Sequence, residues 1–175
     1  MEKKDLKPAG VFKYFEEIWQ VPRPAKKEEK MIAYLKAFGA KHNLETKVDE
    51  AGNVLIKKPA TPGKENLQTV VLQSHIDMVC EKNNDVQHDF LTDPIETEID
   101  GEWLKAKGTT LGADNGIGVA TELAILADDS IEHGPLECLF TVDEETGLTG
   151  AFALKEGFMS GDILLNLDSE DEGEI

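Results

Sequence analysis

The sequence has 175 residues, 40% of them hydrophobic and 30% charged, which suits one soluble domain with a sizeable core. Its 35 acidic and 18 basic residues give a net charge of −17, which argues against nucleic-acid or membrane partners. Cys80 and Cys138 form no disulfide framework and are expected to be packed thiols. With no signal peptide and no apolar segment long enough to span a bilayer, the expected location is the cytoplasm.

The first part of the chain predicts two helices followed by a hairpin. An apolar stripe at helical spacing indicates the first helix, which must end before Pro22, and it consists of Val11, Phe12, Phe15, Ile18 and Trp19. The second helix is predicted from about Lys26 to His42. Two short strands are predicted at Thr46–Val48 and Val54–Lys57, joined by a turn at Ala51-Gly52-Asn53.

Buried strands alternate with helices in the rest of the chain. The predicted elements are a strand at 69–72, a hairpin of Ile95–Ile99 and Trp103–Lys105, a helix from Asn115, a strand at Leu136–Val142, a short helix at Leu148–Leu154 and a strand at Ile163–Leu167. This alternation predicts an α/β domain with a largely parallel or mixed sheet.

Polar residues of ligand type follow three of these buried strands. The segment Ser74-His75-Ile76-Asp77 follows the first, Asp143-Glu144-Glu145-Thr146-Gly147 follows the second, and Asp168 follows the third. Ligands of open α/β sheets bind at the carboxyl ends of the strands. We therefore expect these side chains to meet at one edge of the sheet and to form a functional site.

A glycine-rich segment from Gly108 to Gly118 opens the helix near Asn115 and carries Asp114. A phosphate-binding loop is disfavoured, because the segment has neither a GxGxxG pattern nor a Walker lysine. Asp114 is expected to direct its carboxylate into the cleft, and it could also cap the helix.

Imidazole and carboxylates without a thiolate indicate zinc, with manganese and cobalt as alternatives. The acids are too many for one catalytic zinc with an open position, and they suit two metals that share a carboxylate. Asp77, two residues after His75, is placed to orient the imidazole. Of Glu144 and Glu145, one is expected to bind metal and the other to accept a proton from water.

Four segments together resemble a known family of hydrolases. They are Ser74–Cys80, Thr110–Gly118, Asp143–Gly147 and Asn166–Glu170. The sequence resembles the zinc-dependent aminoacylases, carboxypeptidases and dipeptidases, and within them the branch that contains the aminoacyl-histidine dipeptidases. The resemblance implies a three-layer α/β/α zinc-exopeptidase-like domain with a mixed, largely parallel sheet.

The resemblance also implies a role for each candidate residue. The first of two divalent metals would take His75 and Asp168, the second would take Glu145, and Asp114 would bridge them. Asp77 would orient His75, and Glu144 would be the general base. A cis peptide bond is implied between Asp114 and Asn115.

The implied activity is cleavage of dipeptides, above all Xaa-His dipeptides, by metal-activated water. Related alternatives are a tripeptidase or an N-acyl amino acid hydrolase, and a more distant one is a non-catalytic metal- or partner-binding fragment. Residues 1–175 are expected to be the N-terminal portion of the catalytic domain, without the lid or dimerisation domain and the C-terminal portion of a homodimeric parent. Alone, this portion is expected to be inactive and to bind at most one metal tightly. Without metal, its carboxylates should repel one another and have raised pKa values.

Overall fold

A computed structural model describes residues 3–169 of the chain. The helices are a short 3₁₀ turn at Lys3–Asp5, α1 at Ala9–Trp19, α2 at Glu29–Lys41, α3 at Ala113–Ala127 and α4 at Thr149–Ala153. The strands are β1 at Glu45–Val48, β2 at Val54–Lys58, β3 at Val70–His75, β4 at Thr97–Asp100, β5 at Trp103–Ala106, β6 at Leu136–Thr141 and β7 at Ile163–Asn166. Each predicted helix and strand is present, with ends shifted by a few residues at most.

The main sheet has five strands in the order β1-β2-β6-β3-β7, and β4 and β5 form a separate hairpin. The pairings β1–β2 and β2–β6 are antiparallel, whereas β3–β6 and β3–β7 are parallel. The predicted mixed sheet is therefore confirmed, although two of its four pairings are antiparallel and it is not largely parallel. Its parallel part is the group β6-β3-β7. The register places His75 beside Thr141 and Gln73 beside Asn166, so the three parallel strands end close together.

One face of the sheet carries the helices α1, α2 and α3. The predicted stripe of α1 provides Phe15, Ile18 and Trp19 to this core, together with Leu35 of α2 and Leu123 of α3. A β-carbon added to Gly10 would lie 3.6 Å from Ala124, which shows how closely α1 approaches α3. This contact turns the apolar face of both helices onto the strands.

The opposite face has a smaller apolar cluster. Leu55, Val71 and Leu139 point to this side, where the segment after α4 covers them with Leu154, Phe158 and Met159. The sheet thus lies between a thick helical layer and a thin second layer. This arrangement agrees with the predicted three-layer α/β/α class.

Cys138 is buried in the core between the sheet and the helices α1, α2 and α3. Cys80 is partly buried and packs against the same core, so both thiols are packed as predicted. Among the described residues, no helix combines the length and the apolar character that a bilayer span requires.

Candidate metal centre

Three parallel strands deliver the polar side chains that the sequence predicted. His75 is the last residue of β3, Glu144 and Glu145 lie in the turn after β6, and Asp168 follows β7 by two residues. Because β3 lies between β6 and β7, its histidine is at the centre of this edge. The predicted convergence of these residues is present in the fold.

Asp114 enters the same edge from the start of α3. The backbone departs from helical geometry at Asp114 and Asn115, and the peptide bond between them is cis, as the resemblance implied. The Asn115 side-chain amide donates to the carbonyl oxygen of Leu167 at 3.3 Å. This contact ties the start of α3 to the end of β7, so Asp114 and Asp168 are held on adjoining segments.

The imidazole of His75 is 1% exposed and faces the carboxylates with its Nε2 atom. This atom lies 3.1 Å from Asp114 Oδ1, 3.9 Å from Glu144 Oε2 and 3.9 Å from Asp168 Oδ2. Glu145 is also near, because one of its oxygen atoms lies within 4.8 Å of donor atoms of His75 and Glu144. Its Oε1 atom accepts the N–H of Val79 at 3.2 Å. The structure therefore brings together His75 and the four predicted acids Asp114, Glu144, Glu145 and Asp168.

Asp77 organises this edge from beneath, with a side chain that is 0% exposed. Its Oδ1 atom lies 3.3 Å from His75 Nδ1 and accepts the N–H of Glu144 at 3.0 Å. Its Oδ2 atom accepts the N–H of Glu145 at 3.2 Å. One carboxylate thus fixes the histidine and both glutamates relative to one another.

The titratable groups of the cluster shift in opposite directions. Burial lowers the pKa of His75, but its contacts with Asp77 and Asp114 outweigh burial and raise this pKa to about 9. Burial raises the pKa values of Glu144, Glu145 and Asp168, and nearby carboxylates raise them further against the opposing effect of His75. The expected rise of the carboxylate pKa values is present, with burial as its largest cause and the crowded carboxylates as an additional one.

An open cleft of about 710 Å³ lies over the cluster. Its walls combine the four acids with apolar side chains, and they include Asp114, Glu144, Glu145, Asp168, Ile117, Leu148 and Leu167. The acids therefore face a space that is large enough for a small peptide, whereas Asp77 lies behind them.

Among the described residues, three groups of donor atoms meet the spacing that a cation requires. One of them, Glu28 with Asp77 and Asp143, is buried, and the other two include His75 at the cleft. One atom each from His75, Asp114 and Asp168 lies within 4.8 Å of the others, and the same holds for His75, Glu144 and Glu145. The donors are nitrogen and oxygen without sulfur, and this set fits zinc, manganese or cobalt.

Sequence reasoning missed the residues that brace the turn after β6. Asp143 has a positive φ of 50°, and its N–H donates to the buried carboxylate of Glu28 at 3.0 Å. The Thr146 hydroxyl donates to Asp143 Oδ1 at 2.6 Å. No periodic pattern marks Glu28, because it lies 115 residues from Asp143 in the sequence. Glu170, the last residue of the fourth motif, lies outside the described residues.

The sheet, the helical layer and the cluster at the strand ends together define an α/β domain with a candidate divalent-metal centre. Peptidase family M20/M25/M40 matches residues 71–171, more than half of the chain, and the chain belongs to this family. The match includes every predicted site residue.

Individual relatives agree with this assignment. The chain is 51% identical to the cytosol non-specific dipeptidase of Escherichia coli (strain K12), over 99% of this chain and 36% of that protein. The structure of the aminoacylhistidine dipeptidase of Vibrio alginolyticus is 55% identical, with a TM-score of 0.95 over 99% of this chain and 35% of that one. Aminopeptidase PepT of Bacillus cereus is 26% identical, with a TM-score of 0.78 over 93% of this chain and 43% of that one. The chain thus spans about a third of the length of the two dipeptidases.

Proposed function

We propose that residues 1–175 form the metal-bearing N-terminal portion of the catalytic domain of a dipeptidase, with Xaa-His dipeptides among its substrates. The observation that carries this proposal is the convergence of His75 with the carboxylates of Asp114, Glu144 and Asp168 in an open cleft. Membership of a peptidase family supports hydrolysis, and the names of the two dipeptidase relatives support dipeptides as substrates. A cytoplasmic location and a homodimeric parent remain predictions.

Two divalent cations fit this set of ligands best. In the proposed arrangement, one cation takes His75 Nε2 and Asp168, and a second takes Glu145. Asp114 is placed between the two groups, and its side chain is 76% exposed, so its carboxylate can be shared. Zinc is the proposed metal, with manganese and cobalt as alternatives, because no thiolate contributes to the cluster.

Glu144 is the proposed general base. Bound cations would polarise the scissile carbonyl and make a water molecule more acidic. Glu144 borders the cluster at 3.9 Å from His75 Nε2, and Asp77 fixes its backbone N–H at 3.0 Å. Its carboxylate would accept the proton from water and pass it to the leaving amine nitrogen.

The division of labour between the adjacent glutamates tests this proposal in the full-length protein. We expect Glu144→Gln to lower kcat roughly 10²–10⁴-fold or more, because the base is lost, while metal content is nearly unchanged. We expect Glu145→Gln to lower metal content as well as kcat. The measurements are metal analysis of the purified variants and steady-state kinetics with an Xaa-His dipeptide. Equal metal loss in the two variants would contradict the assignment.

Substrate class requires a separate comparison. Xaa-His dipeptides, other dipeptides, tripeptides and N-acyl amino acids should be compared by kcat/KM with the full-length protein. The proposal expects dipeptides to have the highest values. Preference for tripeptides or N-acyl amino acids would favour the related hydrolases, and absence of metal-dependent turnover would favour a binding role.

A further inference from the structure

Arg23 is the one arginine among the 18 basic residues of the sequence. It lies between Pro22 and Pro24 in the loop after α1, and Pro24 forms a parallel bridge with Met78, just past β3. The side chain is only 3% exposed. A buried cation in so acidic a chain calls for a specific explanation, because burial of charge is costly unless its donors are satisfied.

The guanidinium donates hydrogen bonds to the backbone of two different segments. Nη1 donates to the carbonyl oxygens of Ile76 at 3.1 Å and Asp77 at 3.0 Å. Nη2 donates to the carbonyl oxygen of Gly112 at 2.5 Å. The first segment carries His75 and Asp77, and the second leads directly into Asp114. Arg23 therefore joins the two backbone segments that supply His75 and Asp114, whose Nε2 and Oδ1 atoms lie 3.1 Å apart.

Two glycines make room for this guanidinium. A β-carbon on Gly112 would lie 2.4 Å from Arg23 Nη2, and one on Gly116 would lie 2.6 Å from the same atom. Gly112 also has a positive φ of 68°, which disfavours other residues there. The glycine-rich segment that carries Asp114 is thus folded around a buried arginine.

A lysine at position 23 could reproduce only part of this arrangement of donors. A guanidinium is a planar fork with several donors in fixed directions, whereas an ammonium is a point charge on a flexible stem. The charge also persists near neutral pH, because burial lowers the pKa of Arg23 only to about 10 and Asp77 opposes the decrease. The sequence uses lysine at its other 17 basic positions.

We propose that Arg23 is a positioning residue for the metal centre, which sets the separation between the His75–Asp77 segment and the loop that carries Asp114. This inference rests on the proposed function. Arg23 faces the back of the cluster and would touch neither substrate nor metal. Its effect passes through the carbonyl of Asp77 to the residue that orients His75, and through the carbonyl of Gly112 to Asp114.

Lys58 provides a matched control within the same chain. It is also a buried cation, 8% exposed, and its Nζ donates to the carbonyl oxygens of Ile125 at 3.1 Å and Asp128 at 2.8 Å. It lies beside Leu136, at the opposite end of the sheet from the cluster. Loss of Lys58 therefore removes a comparable set of contacts without changing the candidate ligands.

The test compares Arg23→Met, Arg23→Lys, Gly116→Ala and Lys58→Met in the full-length protein. Zinc affinity is measured by chelator competition. The kinetic constants kcat and KM are measured with an Xaa-His dipeptide, and Tm is measured by thermal unfolding. We expect Arg23→Met to bind zinc about tenfold or more weakly and to lose about 100-fold or more in kcat, with KM changed much less. Arg23→Lys should recover part of both losses. Gly116→Ala should lose zinc affinity and kcat while it retains the arginine, because the new β-carbon displaces the guanidinium.

Lys58→Met should lower Tm but leave zinc affinity and kcat within about twofold of the unmodified protein. The inference is wrong if the Arg23 variants keep zinc affinity and kcat, or if Lys58→Met loses them equally. If Arg23→Met does not fold, Arg23→Lys and Gly116→Ala decide the question by the same criteria. Unmodified protein that binds zinc but hydrolyses no dipeptide would defeat the proposed function alone, and the zinc affinities would still decide the role of Arg23. Unmodified protein that binds no divalent cation would overturn both.

Discussion

Strand β6 has acidic residues at its two ends, and their surroundings are opposite. At its start, Glu137 accepts hydrogen bonds from Lys57 Nζ at 2.5 Å, from the Ser160 hydroxyl at 2.5 Å and from the Ser160 N–H at 2.8 Å. Burial raises the pKa of Glu137, but these partners outweigh it and hold the pKa below its usual value. Beyond the other end, Glu144 and Glu145 face further carboxylates, and their pKa values are raised.

This contrast separates acids that stabilise the fold from acids that are available for chemistry. Glu137 has every feature of a structural carboxylate, with a cation and two donors on its oxygen atoms. The acids at the other edge compete for a single imidazole, and this arrangement costs stability unless a cation compensates for it. Burial raises the pKa values of all three glutamates, but only Glu137 has partners that reverse the shift, and this difference separates the two roles.

Among the changes that test this comparison, replacement of Asp77 by Asn should have the largest effect on stability and metal affinity. The amide keeps one acceptor, but its NH₂ group faces a backbone N–H of Glu144 or Glu145. We expect stability to fall by about 2–4 kcal/mol and metal affinity to fall 10–100-fold, measured by denaturant unfolding and chelator competition.

Asp49→Asn is the control for the Asp77 variant. Asp49 Oδ1 accepts three N–H groups in the β1–β2 turn, those of Ala51, Gly52 and Asn53, each at 2.9 Å. This change should lower stability without any change in metal affinity. An Asp77 variant that retains full metal affinity would show that Asp77 belongs with the structural acids.

Glu137→Gln should have an intermediate effect, confined to stability. Loss of the charge should cost about 1–2 kcal/mol at pH 7, with kcat unchanged. Because the folded pKa of Glu137 is lowered, its contribution is present above the unfolded pKa of about 4.3 and is lost as pH falls through the folded value. The difference in unfolding free energy between the unmodified protein and Glu137→Gln should therefore shrink below about pH 4. The control is Glu45→Gln, an exposed partner of Lys47 that should cost less than about 0.5 kcal/mol. A loss of activity in Glu137→Gln would contradict the separation of the two edges.

Glu145→Gln should have the smallest effect on stability, and the sign of this effect should depend on whether metal is bound. Burial and, to a smaller extent, Asp114 raise the pKa of Glu145 against the opposing effect of His75, so the charged side chain destabilises the metal-free protein. The amide still accepts the N–H of Val79 without this charge, and the metal-free protein should gain at most about 0.5 kcal/mol of stability, because solvent screens the partly exposed group. With saturating zinc, the unmodified protein should be the more stable one, because it binds the ion more tightly. The measurement is Tm with and without zinc. A variant that is less stable in both conditions would refute the idea that the charge of Glu145 destabilises the metal-free protein.

The sequence predicted the elements and the candidate residues because both depend on local patterns. The parallel strands of the main sheet are short apolar runs, and His75, Glu144 and Asp168 each lie within three residues of the end of such a run. Arg23, Glu28 and Asp143 could not be found in this way, because their partners are distant in the sequence and lie mostly on the backbone. The single arginine of the chain was the one available signal, and it indicates a special site without identifying its partners.

The order in which the site can assemble follows from the strand order β6-β3-β7. His75 and Asp114 are 39 residues apart in the sequence, and Asp77 and Glu144 are 67 apart. The donors cannot meet until the central parallel strands have paired, and such pairing between distant segments forms late. A divalent ion would therefore find no preformed site in the unfolded chain and would slow unfolding more than it accelerates folding. On this view, metal would lengthen the lifetime of the folded protein, and the apolar face of the sheet would drive its formation.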